Sequence, residues 1–133
     1  HEYSLFNKKN MKLEKHTLAL KDIMIVAPYN VQVQRLKDKL PDEVEIGTVD
    51  KFQGREAPLV IYSVTTSSPE DAPRGMGFLY SQSRLNVASS RAQCSFIMVA
   101  CREIFEANCK SPGQMKLANA YCRFLEMSGV LKK

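Results

Sequence analysis

The apolar positions of this chain fall into short β-branched runs separated by stretches of helical spacing. Ile23 to Ala27 is a continuous apolar run that ends at Pro28, which predicts a buried parallel strand. From Asn30 to Leu40 the spacing turns helical. Val33, Leu36 and Leu40 share a face, Gln32, Arg35 and Lys39 lie elsewhere, Asn30 can cap the start, and Pro41 stops the run. Val44 to Val49 alternates as a second strand, and Pro58 to Thr66 is nearly all β-former, a third. Residues 67–80 read as a long loop, and 81–92 as a helix capped by Ser81 or Ser83. Cys94 to Ala100 predicts a fourth strand, read like the others as buried, and Arg102 to Asn108 a short helix. Pro112 opens a last helix whose apolar spacing is carried by Met115, Leu117, Ala118, Tyr121, Cys122 and Leu125. Ahead of all this, residues 1–22 are polar and lysine-rich. Asn7-Lys8-Lys9-Asn10 is a turn signal between weakly alternating stretches, so the segment is a short hairpin or a loose lead-in. It is a solvated edge or a basic contact for nucleic acid. Strands alternating with helices predict an α/β fold, a mainly parallel sheet with helices on both faces.

Length changes this picture little. A chain of 133 residues holds one core, read as a lead-in over 1–22 and a main domain over 23–133. No apolar run approaches the roughly 20 residues of a membrane span, and the first residues do not form a signal peptide, so a cytoplasmic protein without a membrane partner is expected. The chain starts with His1 rather than Met, as a fragment or a processed piece would. The net charge of +5 leans toward polyanionic partners. Cys94, Cys101, Cys109 and Cys122 lack the spacing of zinc ligands and lie far from His1 and His16, so free, mostly buried thiols are expected and no metal site.

Two runs carry candidate chemistry. In Thr48-Val49-Asp50-Lys51-Phe52-Gln53-Gly54-Arg55-Glu56, Gly54 lets a backbone approach a ligand, Arg55 can fork onto phosphate oxygens, and Glu56 can accept from a ribose hydroxyl. Taken alone, the same run is simply a turn. In Arg84-Leu85-Asn86-Val87-Ala88-Ser89-Ser90-Arg91-Ala92, the two arginines are seven apart. On a continuous helix they share a face, with small residues between that admit a close neighbour. Two guanidiniums near the ligand edge of a sheet suit a polyphosphate; the plain alternative is a pair of solvated arginines. In open α/β sheets that edge is the carboxyl one, and the two runs are expected there as half of a nucleotide site. Pro28-Tyr29-Asn30 sits at the end of a strand and the start of a helix, where Tyr29 stacks on a base or sugar or packs on a neighbouring loop. No G-x-x-x-x-G-K-[ST] occurs and no acidic pair follows a strand, so a phosphate cradle and a Mg²⁺ site are lacking. With both histidines in the lead-in there is no Ser-His-Asp or Cys-His arrangement either, and a self-sufficient enzyme is not expected.

Together with Asp22-Ile23 through Pro28-Tyr29-Asn30-Val31-Gln32, these runs resemble motifs IV, V and VI of superfamily 1 helicases. The branch is the one with the nonsense-mediated-decay RNA helicase and the Dna-two-type nuclease-helicases. The resemblance covers residues 20–105 in order and spacing. Thr65 to Met76 and Gln114 to Ala120 resemble, more narrowly, bacterial chains joining a RecB-like nuclease to such a helicase. The resemblance implies a RecA-like second motor domain, C-terminal to another of the same parent chain that brings the P-loop and holds Mg²⁺. ATP would lie between them, and this half would be inactive alone. By motif position, Arg91 is the implied arginine finger and Arg84 its neighbour, both counted as catalytic. Gly54 and Arg55 would approach the phosphates and Glu56 the ribose. Thr48, Asp50 and Gln53, with Pro28, Tyr29 and Gln32, would meet single-stranded DNA or RNA or couple it to ATP. The family's Gln-x-Arg element before motif IV is absent, Ser90 stands where Thr is commoner, and nuclease motifs are lacking. A second expectation, from another class, is a degenerate motor fold that binds single-stranded nucleic acid or a protein without hydrolysing ATP.

Overall fold

A computed structural model describes residues 1–7, 11–64, 72, 74–106 and 108–129. The Lys8–Asn10 part of the expected turn, and residues 65–71 and 73 of the Thr65–Met76 stretch in the narrower nuclease-helicase resemblance, lie outside the described residues. The chain forms two compact units: His1–Val64 with Val87–Val99, and Thr65–Asn86 with Ala100–Lys133.

The first unit holds a hairpin and a sheet. Strands β1 (Glu2–Asn7) and β2 (Lys12–Thr17) pair antiparallel, Glu2 opposite Thr17, as the alternating lead-in suggests. The main sheet has β3 (Ile23–Val26), β4 (Glu45–Gly47), β5 (Ala57–Ser63) and β6 (Ala92–Val99), all parallel, in the order β4-β3-β5-β6. Helix α1 (Asn30–Lys37) follows β3. Its Val33, Leu36 and the following Leu40 pack on Ile23, Ile25, Ala27, Val44, Ile46 and Ile61. Alternation along the strands sends the other set, Met24, Val26, Val60 and Tyr62, to the opposite face, where all four are buried. The sheet is parallel because its strands are joined by crossovers, and the apolar β-branched strands predicted such a sheet. The observed fold is RecA-like α/β, a parallel sheet flanked by helices.

Three expectations need correction. Asn30 is the first helical residue of α1 rather than its cap; Tyr29 holds the cap position and makes no side-chain capping bond. Strand β6 is not buried. It is the last strand in the sheet order, and its Ile97 (37% exposed) and Val99 (54%) side chains stay open. The thiols are not mostly buried either: Cys94 and Cys101 are exposed and Cys109 and Cys122 half-buried, and none is in a disulfide.

In the second unit α2 (Met76–Leu79) is one helical turn inside the stretch expected as a loop, and α3 (Gln82–Ser90) follows it. The unit boundary falls within α3, after Asn86. A 3₁₀ turn at Arg102–Phe105 and α4 (Pro112–Met127) complete it. Ser111 caps α4 by accepting from the Gln114 N–H at 3.2 Å, with Pro112 at the first helical position as read from the sequence. Two buried tyrosines tie these pieces together. Tyr80 Oη donates to the Ile104 carbonyl at 2.6 Å, Tyr121 Oη donates to the Leu79 carbonyl at 2.9 Å, and their rings meet edge to face at 5.0 Å. Each hydroxyl satisfies a carbonyl at the end of a short helical segment. Tyr80→Phe leaves the Ile104 carbonyl buried and unpaired, and is expected to lower stability by about 1–3 kcal/mol, read from urea unfolding of wild type and variant.

Candidate nucleotide and nucleic-acid site

In a parallel sheet every connection starts at the carboxyl edge and must end at the amino edge. The connection from β4 to β5, residues 48–56, makes this crossing past β3. It does so as a 3₁₀ turn, Val49–Phe52, followed by Gln53-Gly54-Arg55-Glu56. Phe52, fully buried, is its anchor. The turn is closed by Lys51 N–H to the Thr48 carbonyl and Arg55 N–H to the Phe52 carbonyl, both 3.1 Å. Lys51 folds back to donate to the Ile46 carbonyl at 3.2 Å and lies over Gly47, where a Cβ would meet its Cδ at 2.5 Å. Burial of Val49 and Phe52 turns Asp50, Lys51, Gln53, Gly54, Arg55 and Glu56 outward, all exposed.

The two ends of this run therefore face different edges. At the carboxyl edge, Thr48 follows Gly47, beside the Pro28–Asn30 turn that follows β3; the Ala27 N–H bonds the Gly47 carbonyl at 3.0 Å. Here Pro28 is buried, Tyr29 and Thr48 are half-buried and Asp50 is exposed. Gln32 is also buried, at 7% exposure, contrary to its expected place off the apolar face. Its Nε2 donates to the Ser63 carbonyl at 2.8 Å and to Ser63 Oγ at 2.9 Å.

At the amino edge, Glu56 directly precedes β5 and Arg91 directly precedes β6. Ala57 pairs with Ala92, and the Ala57 N–H bonds the Arg91 carbonyl at 3.0 Å. Gly54, two residues before Glu56, has φ +80 and no atom within 4 Å of where a Cβ would stand, so its backbone is open to a ligand. The expectation that both runs gather at the carboxyl edge is thus corrected. Gly54, Arg55, Glu56 and Arg91 meet at the amino edge, because the crossover carries the chain there.

Two residues that sequence patterns did not single out complete this edge. Glu45 pairs with the Arg55 guanidinium, and Gln93 Nε2 donates to Glu56 Oε2 at 3.4 Å. Only strand register brings them near, ten and thirty-seven positions away in sequence; no local pattern announces them. Arg91 turns back on the helix end, its Nε donating to the Val87 carbonyl at 3.3 Å and an Nη to Ser90 Oγ at 3.2 Å. A cation there suits the negative end of α3, where the Val87 carbonyl also accepts from Ser90 Oγ at 2.8 Å.

Arg84 belongs to the second unit, where its guanidinium stacks on Phe78 at 4.1 Å, alongside Arg74 at 4.7 Å. Ser81 Oγ accepts the Arg84 N–H at 3.4 Å, which fixes the cap on Ser81. Because α3 ends at Ser90, Arg91 lies one residue beyond it. Among the described residues no group of three His, Cys, Asp or Glu is placed to hold a metal ion, and no helix is long and apolar enough to cross a membrane.

The run's anchor and its open glycine have different expected costs. Phe52→Ala empties a buried site and should destabilise by about 3–5 kcal/mol. Gly54→Ala meets only backbone strain, and should lower stability by roughly 1–2 kcal/mol in the same urea titration.

Comparison with known proteins gives this arrangement its context. A family profile described as an AAA domain matches residues 1–103. The DNA polymerase alpha-associated DNA helicase A of Schizosaccharomyces pombe is 46% identical over 77 residues, 56% of this chain and 11% of that protein. The DNA replication ATP-dependent helicase/nuclease JHS1 of Arabidopsis thaliana is 34% identical over 112 residues, 84% of this chain and 8% of the relative. DNA-binding protein SMUBP-2 of Rattus norvegicus is 43% identical over 75 residues, 54% and 7%. The chain thus spans about a tenth of the length of these relatives. With the profile match covering most of its residues, and helicases among its relatives, the chain belongs to the AAA domain family and is a superfamily 1 helicase domain.

Proposed function

We propose that this chain is the C-terminal motor domain of an ATP-dependent superfamily 1 helicase acting on DNA or RNA. The observation that carries this reading is the meeting of Glu56 and Arg91 across the Ala57–Ala92 pair, with the open Gly54 and the exposed Arg55 beside them. In this reading Gly54 and Arg55 approach the phosphates of ATP, Glu56 takes the ribose, and Arg91 is the arginine finger with Arg84 as its neighbour. A guanidinium there stabilises charge that develops on the transferring phosphoryl group. ATP would supply the scissile anhydride and Mg²⁺ its charge neutralisation, with Mg²⁺ held by a preceding RecA-like domain of the same parent chain. Arg55 and Arg91 must each exchange a present partner, Glu45 or the end of α3, for a phosphate oxygen. The carboxyl edge, with Tyr29, Thr48, Asp50 and Gln53, is the candidate track for a single strand. The names of the relatives, a DNA-binding protein and DNA helicases among them, support a nucleic-acid partner. The domain alone is then inactive as an ATPase.

One observation favours a second reading. Arg91 already caps α3 through Val87 and Ser90, as a purely structural arginine would in a degenerate motor fold that binds nucleic acid or a protein without hydrolysis. Arg91→Ala in the full-length protein separates the two. With strand-stimulated ATP hydrolysis as the readout, the motor reading expects about a 10³-fold loss or more with ATP binding retained. Turnover at the wild-type rate in the variant would sink it.

A further inference from the structure

We propose that Gln32 serves the carboxyl edge as a positioning residue: it locks the Pro28–Asn30 turn to the end of β5, and does not itself touch the strand. Its part in strand binding rests on the motor reading above; the lock itself does not.

The orientation of the amide is settled by chemistry. The Ser63 carbonyl can only accept, so the Gln32 atom facing it at 2.8 Å is the –NH₂ group. That same group reaches Ser63 Oγ at 2.9 Å. Both donor protons are thereby spent. The amide's other end, Oε1, is buried without a hydrogen-bond partner among the described residues. A side chain chosen only to fill this space would be apolar. Glutamine leaves one acceptor unsatisfied in order to make two bonds to one serine, at a site that admits almost no solvent.

The location says what those bonds hold. Gln32 lies in the first turn of α1, three residues after Tyr29, and Ser63 is the last residue of β5. The helix is tied to the turn by Val33 N–H to the Tyr29 carbonyl at 3.1 Å, and the turn to β4 by Ala27 N–H to the Gly47 carbonyl at 3.0 Å. The Gln32–Ser63 bonds add the third side, fastening the same turn to β5. Pro28 fixes its own φ inside this frame. Tyr29 and Thr48, the strand candidates of this edge, thus stand on a support braced to both neighbouring strands.

Gln32→Met, Ser63→Ala and the double variant, made in the full-length protein, test the proposal by strand-stimulated ATPase and by thermal unfolding. Ser63→Ala is the mild variant: it keeps the backbone carbonyl and loses only the Oγ bond. A lock predicts that the half-saturating concentration of single-stranded DNA rises about tenfold in Gln32→Met and about threefold in Ser63→Ala, each with maximal turnover within about twofold. The double variant should match Gln32→Met alone, in half-saturation and in Tm, because both changes remove one interaction. A direct strand contact by Gln32 gives a different pattern. Ser63→Ala is then silent, or its effect simply adds to that of Gln32→Met, and either result overturns the proposal. If wild type is not stimulated by a strand, or Arg91→Ala turns over normally, the motor reading fails; the Tm cycle then decides alone, non-additivity sustaining the lock and additivity refuting it.

Discussion

Everything about this surface depends on the parallel pairing of β3, β4, β5 and β6. Parallel strands cannot be joined at one edge, so each connection must cross the sheet and emerge at the other. Residues 48–56 accomplish the crossing with one 3₁₀ turn and one buried side chain, Phe52, as the fixed point. The polar residues of the run are consequently divided. Thr48 stays at the carboxyl edge with Tyr29, while Gly54, Arg55 and Glu56 are delivered to the amino edge, where Arg91 enters β6. A single short segment thus reaches both edges of the sheet. A motor needs such a link if strand engagement at one edge is to be felt by phosphate groups at the other.

The amino edge is satisfied as it stands, and this matters for its chemistry. Arg55 is paired with Glu45, Glu56 with Gln93, and Arg91 with the end of its own helix. Both partners of the Arg55–Glu45 pair are well exposed, 52% and 38% of their side chains, so the pair holds weakly against a multiply charged competitor. The Arg91 bonds to Val87 and Ser90 are long, at 3.3 and 3.2 Å, and to neutral acceptors. Such contacts hold the guanidiniums without making their release costly, as the motor reading proposed for this edge requires.

How far the sequence carried this picture can be judged residue by residue. Ile23–Val26 and Ala57–Ser63 were legible because a buried parallel strand is apolar throughout, and Pro112 with Ser111 marked the start of α4 through local chemistry alone. The motif runs were legible as a set, since their order and spacing are properties of the chain. The edges they occupy were not, because an edge is defined by strand direction and register. Glu45 and Gln93 were invisible for the same reason. The exposure of β6 was misread because Phe96-Ile97-Met98-Val99 has the composition of a central strand while standing last in the sheet.

Gln32 shows the limit most sharply. Its neighbours in sequence are Val31, which is exposed, and Val33, which is buried against the sheet. Helical spacing alone places a polar side chain at 32 in solvent or on a ligand. The structure buries it because a serine thirty-one positions away ends β5 where the first turn of α1 passes. Two hydrogen bonds then outweigh the desolvation of one amide oxygen, a balance that only tertiary placement can strike. A polar residue in a recognisable run can therefore spend its hydrogen bonds on its own fold, where helical spacing alone would point it outward.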